Sequence, residues 1–380
     1  MRVVHVIGSI AARFGGPSKA LKGLALAQLR GGQDVRIITD DAQEPVGTSA
    51  AADTGDVQVT NLPAAGRLAQ WGLGACNRLG DALRGADILH LHGVWEPVIC
   101  EAAAAGMAAG VPFVVRPCGM LDAWALRRKR FKKWVYLTVR LRRVLAKAAA
   151  IHCMTDMEAS STRASGVPVE KMIIEPNGLA MEEFAELPKR GEFRESHGIG
   201  TRPMVTFLGR IHPGKGVEYL LRALPHVATP DLVVVIVGPT DSAFAGAMME
   251  EAKALASRAR IVFTGMLQGP ARIAPLVDAD VFALPSEHEN FGVAIAEALA
   301  SGCPVVVSNH VGIASDIQAH GLGSVTSLEP SDIAAAIDDW LGRRLSIERP
   351  FQAARSFALE RYDWNDIARR WLGHYEQLVA

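Results

Sequence analysis

No two of the five cysteines stand in C-x-x-C spacing; Cys76, Cys100, Cys118, Cys153 and Cys303 are scattered along the chain. That scatter excludes a zinc ribbon or a dithiol redox pair and offers no disulfide frame. The thiols read as small buried hydrophobes in a reducing cytoplasm. Also missing is an apolar run of about eighteen residues, and with it an expected membrane-spanning helix. The opening Met1-Arg-Val-Val-His-Val-Ile-Gly8 is too short, and too soon broken by glycine, for a signal peptide; a first strand is expected there. Net charge is absent as well: 40 Lys and Arg balance 40 Asp and Glu, which argues neither for nor against nucleic acid. Tandem repeats and low-complexity tracts do not occur.

What is there begins with length. At 380 residues the chain is long for one domain, and two of ordinary size are expected. A hydrophobic content of 49% supplies apolar material for two cores. Short apolar runs at 3–7, 35–39, 57–60, 88–92, 113–115, 151–154 and 172–174 form one strand series. Runs at 205–208, 232–237, 261–264, 281–284, 305–308 and 323–326 form a second. Lying between helical stretches, they predict an α/β fold of two doubly wound parallel sheets, each covered on both faces. A polar, turn-rich stretch near 180–200 marks the seam, giving an N-terminal domain over 1–185 and a C-terminal domain over 195–355. A last helical segment lies near 364–378.

The most informative segment is Pro285-Ser-Glu-His-Glu-Asn-Phe-Gly-Val-Ala-Ile-Ala-Glu-Ala-Leu-Ala300, set between two apolar runs. Strand, acidic loop, glycine, helix, strand puts a helix start at the carboxyl end of a strand, where doubly wound sheets bind ligands. Free amides there suit a phosphate or diphosphate, and the carboxylates of Glu289 and Glu297 can accept hydrogen bonds from sugar hydroxyls. The spacing Ser286-x-x-Glu289 also matches a capping box, and Glu297 also reads as an ordinary helix carboxylate. Gly209-Arg-Ile-His-Pro-Gly-Lys-Gly216 nearly satisfies the Walker A pattern, but Gly216 stands where a hydroxyl would hold magnesium. Asp278-Ala-Asp280 has the D-x-D spacing of a metal site while opening a strand.

In the N-terminal half, Gly8-Ser-Ile-Ala-Ala-Arg-Phe-Gly-Gly-Pro-Ser18 runs from the first strand towards a helix, and Gly15 and Gly16 permit close backbone approach to a ligand. Ile88-Leu-His-Leu-His92 ends a strand with two histidines; His90 alternates inward with apolar residues and reads as structural, whereas His92 sits at the carboxyl end.

The string of two glutamates eight apart, Phe-Gly after the first and Ala-Leu-Ala-Ser-Gly-Cys-Pro-Val-Val after the second, strongly resembles the donor-site signature of family 4 retaining glycosyltransferases. The resemblance implies the GT-B fold, two Rossmann-like domains facing a cleft, with the last helix (360–380) crossing back onto the N-terminal domain. It implies a nucleotide-diphosphate sugar, UDP- or GDP-linked, held by Gly15, Gly16, Arg210, Lys215, Glu289, Asn290, Phe291, Gly292, Val293 and Glu297. Arg210 and Lys215 correspond to the cations that neutralise the diphosphate, Glu297 to the ribose contact, Glu289 to the sugar contact, and His92 to the active-site histidine. Asp280 corresponds to a structural aspartate at the strand start, so no metal is expected and no cofactor beyond the donor. Arg116-Pro-Cys-Gly-Met-Leu-Asp122-Ala-Trp124 resembles a motif of bacterial polysaccharide-type members, making Arg116, Asp122 and Trp124 acceptor-side candidates. Pro176-Asn-Gly178 resembles the loop into the hinge.

Between Asp122 and Asp156 there is no acidic residue, yet ten Lys and Arg lie from Arg127 to Lys147. At about 100° per residue, Phe131, Trp134, Val135, Leu141 and Leu145 share one helix face. Lys129, Lys132, Lys133, Arg140, Arg143 and Lys147 gather opposite. Such a helix suits an anionic membrane surface; a core-packed helix with a solvated basic back has the same pattern. Nucleic acid is not expected, since no base-reading motif accompanies the charge. Together these features imply a cytoplasmic hexosyltransferase, peripheral on the inner membrane face if that helix binds lipid, with a saccharide or lipid-linked acceptor and a role in surface polysaccharide synthesis. Two rivals stay open: a nucleotide-sugar epimerase of the same fold, and an NTP-binding regulatory protein using the 210–215 loop alone.

Overall fold

The computed structural model describes residues 1–11, 16–40, 55–62, 79–127, 130–166, 170–343 and 349–380. The chain divides into two compact units, Met1–Gly178 with Trp364–Ala380, and Leu179–Asp363. The polar 180–200 stretch therefore lies inside the second unit, where Phe184 and Phe193 are buried.

The first unit holds a seven-stranded parallel sheet in the order β3-β2-β1-β4-β5-β6-β7. Its strands are β1 (Arg2–Ile7), β2 (Asp34–Thr39), β3 (Gln58–Asn61), β4 (Ile88–His92), β5 (Phe113–Arg116), β6 (Ala150–Cys153) and β7 (Met172–Ile174). Side chains alternate across the sheet, so each strand feeds two cores. Val4, Val6, Leu89, Leu91, Phe113, Val115 and Ile151 pack with the helix Pro97–Ala109 and with Val144 and Leu145. Val3, Ile88, Val114 and Ala150 face the helices Gly16–Arg30 and Trp364–Val379, whose Trp371 and Tyr375 are fully buried. By the same alternation His5, His90 and His152 fall on that second face. They make a polar layer inside an apolar core.

The second unit is a six-stranded parallel sheet, β10-β9-β8-β11-β12-β13. Its strands are β8 (Met204–Leu208), β9 (Leu232–Val237), β10 (Ala259–Gly265), β11 (Val281–Leu284), β12 (Val305–Ser308) and β13 (Gly323–Thr326). β9 reads LVVVIV and is buried throughout, as a strand covered on both faces must be. In both units strand order reverses beside the first strand, between β1 and β4 and between β8 and β11. Those two switch points are where loops diverge and ligands find room.

The basic segment departs from the single helix expected. It folds as Arg130–Tyr136, a π-helical turn Leu137–Leu141, and Arg142–Lys147. The extra residue of a π turn rotates the succeeding helical turn by about 100°. Leu141, Val144 and Leu145 consequently enter the core, while Phe131, Trp134 and Val139 are 75%, 61% and 70% exposed. The expected common face is split. Lys129 lies outside the described residues, as do Cys76 and Gly15. Cys100, Cys153 and Cys303 are buried free thiols and Cys118 is half-buried. Among the described residues no helix is long and apolar enough to cross a membrane.

Candidate functional site

At the switch point of the second unit, two loops are stitched together. Glu287 N–H donates to the Gly214 carbonyl (2.9 Å) and Ser286 Oγ to the Lys215 carbonyl (3.0 Å). Lys215 Nζ then reaches Glu289 Oε2 at 2.6 Å. These contacts answer the capping-box alternative: Ser286 serves the 209–216 loop, and the helix Val293–Ala300 starts at Gly292 with no side-chain cap. Gly292 has φ +89°, a conformation that glycine takes without penalty. Phe291 is buried and packs edge-on to Tyr362.

Gly216 is required on two counts. Its φ is +104°, and an added Cβ would lie 2.7 Å from the Pro285 carbonyl oxygen. A Walker A serine or threonine would not fit there. Arg210 is exposed and makes no ion pair with a described residue. Glu297 is buried, 3% exposed, and pairs with Arg272, which also pairs with Glu183. Sequence reasoning missed Arg272; it lies 25 residues before Glu297, on the helix Pro270–Val277, which carries no motif.

Asp278 and Asp280 are engaged in structure. Asp278 accepts the backbone N–H groups of Gly191 and Arg194 at 2.5 and 3.0 Å. Asp280 Oδ2 accepts Met204 N–H at 2.8 Å and the Arg194 guanidinium at 2.9 Å. This pair ties the strand starts to the helix Glu192–Ser196, in keeping with the structural role expected of Asp280.

In the first unit, Gly16 opens the helix after β1, and His92 ends β4 beside Arg116 at the end of β5. His92 Nε2 lies 3.0 Å from His5 Nδ1, and its own Nδ1 has no hydrogen-bond partner among the described residues. Burial, then the charges of His5 and Arg116, holds the His92 ring well below the ordinary histidine range. Arg116 is 1% exposed and donates through Nη2 to Asn177 Oδ1 and to Met154 Sδ. Asp122 is buried too, whereas Trp124 is 54% exposed. The three acceptor candidates thus divide between the interior and the surface. Asn177, expected in the hinge loop, anchors Arg116.

Comparison with known proteins places these features in context. Residues 15–178 match the family model of the glycosyl transferase 4-like domain, and 189–357 match that of glycosyl transferases group 1. An uncharacterized glycosyltransferase of Methanocaldococcus jannaschii is 31% identical over 220 residues, 55% of each chain. The phosphatidyl-myo-inositol mannosyltransferase of Mycobacterium tuberculosis is 31% identical over 213 residues, 54% of each chain. The chain spans about half the length of the curated relatives it matches. Among solved structures, Anabaena HepE in complex with UDP superposes with a TM-score of 0.81 at 18% identity, covering 99% of this chain and 100% of that one. A glycosyltransferase from Rickettsia africae gives 0.80 at 17% identity, with 100% and 98% covered.

Proposed function

The chain belongs to the family 4 glycosyltransferases of GT-B fold, a glycosyl transferase 4-like domain joined to a group 1 domain, and on that premise we propose that it moves a hexose from a nucleotide-diphosphate sugar to a saccharide or lipid-linked acceptor with retention at the anomeric carbon. The observation that carries this is the Lys215–Glu289 contact, which sets a cation and a carboxylate side by side at the switch point of the second unit. Breaking a glycosyl–phosphate bond drives negative charge onto the departing diphosphate. Lys215, Arg210 and the first amides of the helix Val293–Ala300 offset that charge. Glu289 accepts hydroxyls of the sugar, and Glu297, held by Arg272, those of the ribose. The departing phosphate takes the acceptor's proton, so no separate base is required. The engagement of Asp278 and Asp280 by backbone amides and Arg194 supports a reaction that needs no divalent ion.

For the acceptor, a lipid-linked saccharide is favoured by one observation: Phe131, Trp134 and Val139 stand exposed among the basic residues of 130–147. Aromatic side chains flanked by lysine and arginine suit the anionic interface of a membrane.

The proposed activity is tested with a thermal-shift panel and then a turnover assay. UDP or GDP and the matching nucleotide sugar raise Tm, ATP does not, and donor consumption depends on acceptor and persists in excess EDTA. A response to ATP alone would establish the NTP-binding protein instead, and donor conversion without acceptor the epimerase. Loss of activity with chelator, restored by Mn²⁺ or Mg²⁺, would refute the metal-free mechanism.

A further inference from the structure

Four histidines from three strands, His5, His90, His92 and His152, lie buried in one layer with Gln28 and Tyr375, and the contacts among them form a single line. Taking His92 as the group that meets the donor sugar, a role that rests on the function proposed above, we propose that Tyr375 and Gln28 are positioning residues that set its tautomer. They make the Nδ1 lone pair of His92, a hydrogen-bond acceptor, the atom presented to a sugar hydroxyl.

The line starts at a group that can only accept. The Glu175 carbonyl lies 2.8 Å from His152 Nε2, so that nitrogen carries the proton. A neutral ring has one N–H, which leaves His152 Nδ1 as an acceptor. His90 Nε2, 3.1 Å away, must therefore donate to it, and His90 Nδ1 must accept. The partner of His90 Nδ1 is Tyr375 Oη at 2.6 Å, which gives up its only proton. Tyr375 Oη then accepts from Gln28 Nε2 at 3.3 Å, which turns Gln28 Oε1 towards His5 Nε2 at 2.7 Å. His5 donates there, its Nδ1 accepts from His92 Nε2 at 3.0 Å, and His92 Nδ1 is left as a bare lone pair. Six hydrogen bonds run in one direction. Reversing any one would strand a buried donor or acceptor, which disfavours every alternative arrangement.

Neutral rings are required, and the surroundings supply them. All four are at most 1% exposed. Burial above all, with Arg116 opposing a further positive charge in every case, lowers each one, His5 to about 4. His5, His90 and His92 also bring ligand atoms within 4.8 Å of one another, a spacing a metal ion could use. Yet both nitrogens of His5 and both of His90 already have partners, so a metal would have to break the line.

The test is the imidazole ¹⁵N spectrum of the full chain. The expected wild-type result is that all four buried rings carry their proton on Nε2, with His92 Nδ1 unprotonated. Tyr375→Phe removes one hydroxyl and cuts the line in the middle. His90 and His152, on the carbonyl side, stay fixed as Nε2–H, while His5 and His92 exchange between tautomers. Donor kcat/KM falls about 10-fold, the lower end of the loss when a partner that orients a metal-bound histidine is removed. A merely structural role for Tyr375 would disturb both pairs or neither, and either result overturns the proposal. So does a wild-type His92 protonated on Nδ1, or stoichiometric binding of Co²⁺ with a visible ligand-field spectrum. The wild-type spectrum decides even if the variant does not fold. Because it requires no turnover, its outcome is independent of whether glycosyl transfer is observed.

Discussion

Lys215 and Glu289 stand 2.6 Å apart, lysine nitrogen to carboxylate oxygen, and join the loop after β8 to the loop after β11. With Glu287 N–H on the Gly214 carbonyl and Ser286 on the Lys215 carbonyl, the contact makes the two loops one rigid rim. A change in one loop is therefore felt in the other.

Lys215→Ala should lower kcat/KM for the nucleotide sugar by roughly 30- to 1000-fold, the equivalent of about 2–4 kcal/mol of transition-state stabilisation. Its partly exposed ion pair contributes little to folding, so Tm should move by only about 2 °C. Steady-state kinetics beside a melting curve separates the two. Near-normal turnover would remove Lys215 from the site.

Arg272→Ala takes the cation from a carboxylate that is 4% exposed. Breaking a buried pair on one side costs about 3 kcal/mol. Urea unfolding should show that loss, and Arg272→Lys, which keeps the charge but not the fork, should recover only part of it. Unchanged stability in Arg272→Ala would mean that the pair is unimportant for the fold.

Gly216→Ser restores the Walker A pattern in sequence, and the expected outcome is damage. The left-handed backbone and the Pro285 carbonyl together resist a Cβ, at a cost of about 1–3 kcal/mol. The variant should be less stable to urea and less active, and should gain no magnesium-dependent ATP binding. Acquisition of such binding would overturn the assignment of this loop.

Stability should decline with acid in the range where free histidine titrates. The buried rings have folded-state pKa values below the unfolded value of 6.5, His5 at about 4. The unfolded chain thus binds more protons than the native one as pH falls through about 6.5, so stability is full above that pH and drains away towards 4. His5 alone accounts for on the order of 3 kcal/mol at the lower end. Urea titrations from about pH 7.5 to about 4.5 should give a slope of more than one proton; a flat profile would contradict neutral burial.

For the membrane surface, the native chain should co-sediment with anionic vesicles at low salt. Replacing Phe131 and Trp134 with Ser, and Lys132 and Arg143 with Gln, should release it without lowering Tm, since these side chains lie at the surface. Vesicles that fail to retain the native chain would leave this face to solvent.

Much of this architecture could be read from apolar runs alone. Among the described residues, each of the thirteen strands lies where a short run predicts it, with ends displaced by a residue or two; β10, for instance, begins at Ala259 instead of 261. The loop motifs after β8 and β11 were legible because glycine and charge cluster there. What escaped depends on residues brought together only by folding. Nothing near Arg272 points to Glu297, and nothing in 370–380 points to His90 across 285 positions. The split of the basic segment also escaped, since a π turn leaves the spacing of lysines and valines unchanged and alters only which way they face.

The return of the helix Trp364–Val379 to the first unit bears on how the chain is made. Residues 179–363 form a contiguous unit that can close as soon as the ribosome has released it. The first unit, although synthesised earlier, draws Trp371 and Tyr375 of its core, and with Tyr375 a hydrogen-bond partner of the buried histidine layer, from the far end of the chain. Loss of the chain before Tyr375 would therefore remove part of the core of the domain that is translated first.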